Sequence, residues 1–83
     1  MMSVNITSVD DKIHYSIICK NTDKFIKLEE QLYNDYPEYT ESENYFLFKG
    51  IRINKYKSLE ENNINHNSIV VLNSFGSMYS KMI

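Results

Sequence analysis

The chain has 83 residues, 42% of them hydrophobic and 24% charged, with a formal net charge of −2. This is the size of one small domain, able to withdraw roughly 60% of its unfolded surface from water, and a second core is excluded. The near-neutral balance excludes a general field for nucleic acid or anionic lipid, and the single Cys19 excludes an intramolecular disulfide.

Over residues 3–8, Val4 and Ile6 alternate with Asn5 and Thr7, the period of a strand with one covered face. Asp10, Asp11 and Lys12 supply turn chemistry, and residues 13–19 then place Tyr15, Ile17 and Cys19 on one side and His14, Ser16 and Ile18 on the other. An N-terminal hairpin is predicted. After Thr22 or Asp23 as N-cap, residues 24–36 read as a helix whose Phe25, Leu28 and Leu32 share one face, with Lys27, Glu30, Gln31 and Asn34 in solvent. Pro37 ends it, because a proline pushes the preceding residue away from helical angles.

Residues 38–43 are polar and acidic and are expected to form a surface loop. Residues 45–49 read as a strand, Gly50 as a turn, and residues 51–53 as a short antiparallel return. The connection 54–67 is polar and anchored to the core at Leu59 and Ile64, with Ser58 capping a helical turn. Residues 69–72 form the last strand, followed by a stretch of small residues around Gly76. Arg52, Lys55 and Lys57 read as a solvated basic stretch, and the adjacent carboxylates Glu29-Glu30 and Glu60-Glu61 as solvated pairs that do not converge. This order predicts an α+β roll, a mixed four- to five-stranded sheet packed on one helix.

The stretch Tyr45-Phe46-Leu47-Phe48-Lys49-Gly50-Ile51-Arg52-Ile53, then Lys57-Ser58-Leu59-Glu60-Glu61-Asn62-Asn63-Ile64, then Ser68-Ile69-Val70-Val71-Leu72, runs without a gap from Tyr45 to Asn73. It resembles the strand, glycine turn, short strand, Ser-Leu turn, Asn-Ile anchor and last strand of the ubiquitin-like family. Val4, Ile6, Tyr15, Ile17, Cys19, Phe25, Leu28 and Leu32 match the family's core positions. The resemblance implies a ubiquitin-like β-grasp domain over residues 1–74, with 75–83 as a flexible tail or the start of a linker.

It also implies a function. Ubiquitin-like domains bind proteins through the exposed sheet face, and the matching positions here are Leu47 and Val71, with Tyr45 and Ile51 beside them. These four are the expected partner-binding residues. The expected partner is a protein: a ubiquitin-binding helix, a proteasome receptor or another domain of the same chain, with a homodimer as an alternative. Phe75, Met78 or Tyr79 folding back onto that face is a further alternative.

The conjugating members of the family end in two glycines, whereas this tail has Gly76 alone, preceded by the bulky Phe75. A non-catalytic interaction module, N-terminal in a larger protein or a small adaptor, is therefore expected ahead of a modifier processed after Gly76. A GTPase-binding β-grasp domain ranks lower, since the first two strands carry few basic residues.

No catalytic, cofactor or metal site is expected. Cys19 points inward while His14 points outward, His66 has no second ligand at metal spacing, and the glycines are isolated. A single thiol, an opening Met1-Met2-Ser3-Val4-Asn5 without a basic or apolar region, and no apolar run of membrane length predict a cytoplasmic or nuclear protein without membrane or nucleic-acid partners.

Overall fold

A computed structural model describes residues 1–77. Strands β1 (Met2–Ser8) and β2 (His14–Cys19) form the expected antiparallel hairpin, with Ile6 opposite Tyr15 and Met2 opposite Cys19. Its turn is built on Ser8, whose hydroxyl donates to Asp10 Oδ1 (2.5 Å) and accepts from the Lys12 and Ile13 amides (both 3.0 Å). The Ser8 hydroxyl and the Lys12 amide hold the Asp10 carboxyl below its ordinary pKa.

Helix α1 (Phe25–Asp35) buries Phe25, Leu28, Glu29 and Leu32. Neither Thr22 nor Asp23 caps it. The N-cap position is Lys24, with no side-chain cap, and the first amides bond instead to main-chain carbonyls of the later connection, Phe25 to Lys57 (3.1 Å) and Ile26 to Lys55 (2.8 Å). A tertiary contact thus satisfies donors that a local side chain usually serves. Asp23 is engaged otherwise, accepting from the Lys20 amide at 2.9 Å.

The helix stops before Pro37 as expected, but the acidic segment is not an open loop. Pro37–Glu41 winds into a 3-10 turn whose Tyr39 is half-buried and stacks edge-on against Tyr36, 6.5 Å between centroids.

Strand β3 (Ser42–Phe48) turns into β4 (Ile51–Arg52) through Lys49 and Gly50, whose φ angles of 52° and 78° make a tight hairpin turn of the primed type. Ile53 lies past the end of β4 and turns into the core, although its amide still bonds to the Phe46 carbonyl at 2.9 Å. In the connection 54–67, Leu59 and Ile64 are both buried, as expected. Ser58 and Glu61 form a capping box: the Glu61 amide donates to Ser58 Oγ and the Ser58 amide to Glu61 Oε1, each at 3.0 Å.

Strand β5 (Ser68–Ser77) lies parallel to β1 and antiparallel to β3, giving the sheet order β2-β1-β5-β3-β4. It runs on past Leu72: Asn73 pairs with Tyr45, Ser74 with Asn44 and Ser77 with Ser42. Residues 75–77, assigned to the tail from sequence, thus belong to the sheet, because the first half of β3 offers them a main-chain partner. The remainder of the expected tail lies outside the described residues.

The fold is an α+β β-grasp roll. Helix α1 crosses one face of the sheet, and the core forms between Phe25, Leu28 and Leu32 of the helix and Val4, Ile6, Ile17, Phe46, Val70 and Leu72 of the strands. At its centre Phe25 meets Phe46 edge-on at 4.9 Å. No helix among the described residues is long and apolar enough to cross a membrane.

Candidate partner-binding face

Because strand side chains alternate, burying Phe46, Val70 and Leu72 against the helix sends Tyr45, Leu47, Ile69, Val71 and Asn73 to the other face. Pairing then brings them together. Leu47 lies directly opposite Val71 and Tyr45 opposite Asn73, while across β1 Val71 neighbours Thr7 and Ile69 neighbours Asn5. Ile69 remains 58% exposed.

Of the four residues named from sequence, Tyr45, Leu47 and Val71 share this face and Ile51 does not. The β3–β4 hairpin sets Ile51 against Phe48, and Phe48 is on the side packed against the core. Directly opposed residues on neighbouring strands point the same way, so Ile51 emerges at the sheet edge on the helix side, 72% exposed. Arg52 instead lies opposite Leu47 and joins the outer face. The signal was available in principle: a two-residue turn at Lys49-Gly50 forces Phe48 to pair with Ile51.

A second residue completes the face. Phe75, carried out along the extension of β5, lays its ring against Tyr45 with centroids 4.5 Å apart and planes at 37°. The Arg52 guanidinium lies 5.3 Å from the Tyr45 centroid and 5.7 Å from that of Phe75. The basic residue read as solvated is therefore part of an aromatic cluster. Phe75 reaches the face as a residue of β5, which continues along β3, and not by a tail folding back onto the sheet; Met78 and Tyr79 fall outside the described residues.

Apart from Ile18, the rest of the outer face is polar. Ser3, Asn5 and Thr7 occupy it on β1, and Ser16 donates to Asn5 Oδ1 at 2.6 Å. Ile18 on β2, 65% exposed and opposite Ser3, stands apart from the main cluster. The apolar group is thus confined to the β3–β5 half. Within it, Asn73 Nδ2 is occluded and has no hydrogen-bond partner among the described residues.

The chemical groups weighed from sequence are dispersed. Cys19 is buried, and burial pushes its thiol pKa up, while His14 is exposed at the opposite end of β2 and pairs with Asp11 at 2.9 Å. His66 is used structurally: its Nδ1 accepts from the Ser3 amide at 3.0 Å. It borders an open groove of about 770 Å³ between Met1, Lys20, Glu60 and Asn65, away from the apolar face. Among the described residues no cluster of His, Cys, Asp and Glu has metal-ligand geometry.

Glu29 corrects the sequence reading. It is 6% exposed rather than solvated, accepts from the Tyr33 hydroxyl at 2.9 Å and pairs with Lys55 at 3.3 Å. Tyr33 in turn accepts from Asn44 Nδ2 at 2.9 Å, so this polar seam ties α1 to β3. Chiefly because of burial, the Tyr33 hydroxyl pKa rises from 10.0 to about 12.

No protein-family model and no curated protein matches this chain. Element order and the strand order β2-β1-β5-β3-β4 carry the β-grasp fold.

Proposed function

We propose that this chain is a non-catalytic ubiquitin-like interaction module that binds partner proteins through the outer face of β3 and β5. One observation carries the reading: Leu47 and Val71 stand opposed on a sheet face that no described helix covers, with Tyr45, Ile69 and Phe75 extending the apolar surface. A small apolar patch bordered by polar strands is the usual core of a protein interface. The partner that suits it is a helix with one apolar side, such as a ubiquitin-binding helix, an element of a proteasome receptor or a neighbouring domain. The unpaired Cys19 suits a reducing compartment, cytoplasm or nucleus.

The alternative of a modifier matured after Gly76 is less well supported. Gly76 lies within β5, and Ser77 pairs with Ser42, so a free carboxyl-terminal glycine would have to be drawn out of the sheet before an enzyme could use it.

The double substitution Leu47→Asp with Val71→Asp tests the face. The expected result is an unchanged far-UV spectrum and a cooperative unfolding transition, with loss of binding to a ubiquitin-binding helix peptide in an NMR titration. Binding that survives with unchanged affinity would overturn the assignment of the face. Sedimentation of the wild-type chain alone reports on the homodimer alternative.

A further inference from the structure

Arg52 is held in an arrangement that solvation of a basic loop does not explain. Its guanidinium lies within 5.3 Å of one ring centroid and 5.7 Å of another, and those rings, Tyr45 and Phe75, are themselves in contact at 4.5 Å. Among the described residues Arg52 forms no ion pair. Aromatic contact engages the guanidinium through its faces, while its N–H donors lie in its plane and remain able to take a carboxylate in a two-pronged hydrogen bond. Held against rings, the side chain also loses less rotational freedom on binding than a free arginine.

Resting on the reading of this face as the binding surface, we propose that Tyr45, Phe75 and Arg52 form a carboxylate-reading corner, so that the partner is a helix with an acidic residue next to its apolar anchor. Arg52 lies directly opposite Leu47, so the two side chains leave the sheet about one strand spacing apart, roughly 5 Å, and the guanidinium reaches from there over Tyr45 and Phe75. Residues three or four apart on a helix have Cβ atoms about 5–6 Å apart, which matches this spacing. The structure therefore selects a leucine-like anchor over Leu47 and Val71, with Asp or Glu one turn away.

Two helical peptides, identical except for Glu or Gln four residues from a leucine anchor, test this by 15N NMR titration that includes the Arg52 Nε–H signal. The Glu peptide is expected to bind about tenfold more tightly at low salt, a margin that shrinks as salt is raised. Arg52→Gln should equalise the two peptides, and Arg52→Lys, which keeps the charge but loses the planar fork, should retain only a small part of the preference. Loss of both peptides is expected for Leu47→Asp with Val71→Asp.

If both peptides bind the wild-type chain equally and shift Leu47 and Val71, acid selection is overturned while the face stands. If neither binds at millimolar concentration, the face itself is overturned and the carboxylate corner with it. An Arg52 Nε–H signal unmoved by the Glu peptide would also overturn the proposal.

Discussion

The two faces of the sheet come from the same strands and the same alternation, yet they differ in what lies over them. On the inner face Val4, Ile6, Ile17, Phe46, Val70 and Leu72 are each at most 3% exposed beneath α1 and the 54–67 connection. On the outer face the β1 positions are polar, while β3 and β5 carry Tyr45, Leu47, Ile69, Val71 and Phe75, of which Ile69 and Phe75 remain 58% and 48% exposed. Single exposed apolar residues are common on soluble proteins, but here they are gathered in the β3–β5 half while β1 is polar, and that grouping is what the proposed binding face rests on.

That contrast can be broken most strongly from the inner side. Phe25→Ala removes a ring that is 0% exposed and in contact with Phe46, and should cost about 3–5 kcal/mol in urea unfolding. The outer-face pair Leu47→Asp and Val71→Asp should cost far less. If the two losses were equal, the faces would not differ as described.

A smaller effect is expected in the polar seam beside the core. Because the Tyr33 hydroxyl keeps its proton up to about 12 in the folded chain instead of the ordinary 10.0, the unfolded chain releases its proton first as pH rises. The contribution of this group to stability is intact below pH 10.0 and is lost as pH climbs towards about 12. Absorbance titration of the phenolates should show a component near 12 that Tyr33→Phe removes, and the variant should lose less stability over that interval.

The smallest effect should have the opposite sign. Asn73→Val replaces an occluded, unpartnered amide with a β-branched side chain at a strand position, and should stabilise the chain by about 1 kcal/mol in urea unfolding. A loss of stability would mean that the Asn73 amide is hydrogen-bonded in the folded chain.

How far these features were legible in the sequence depends on the range of the interaction that decides them. The alternation over Val4 and Ile6 and over Tyr15, Ile17 and Cys19, the Phe25, Leu28 and Leu32 spacing, and the anchors Leu59 and Ile64 are local periodicities, and each reappears in the core or packed against it. The burial of Glu29 is only half legible: it follows Phe25 by one helical turn and so falls on the buried stripe, but its partner Lys55 cannot be read from the helix alone. The helix cap is hidden for a similar reason. Its partners, the Lys55 and Lys57 carbonyls, come from a distant part of the chain. Of the face, Tyr45, Leu47 and Val71 were legible because β3 and β5 alternate regularly, whereas Ile51 and Arg52 exchanged roles at the turn, where a shift of one residue reverses the side a chain faces.

By itself, the amino-acid order determined the elements, the buried residue of each alternating pair and a single α+β core, because hydrophobic period, proline, glycine and capping chemistry act over a few residues. Only the tertiary structure decided that Ser74–Ser77 continue as sheet, that Ile51 leaves the outer face, and that Phe75 and Tyr45 close around Arg52. Those outcomes depend on which strand lies beside which, and Arg52 and Phe75, well apart in the chain, become neighbours only after β5 has paired along the whole of β3.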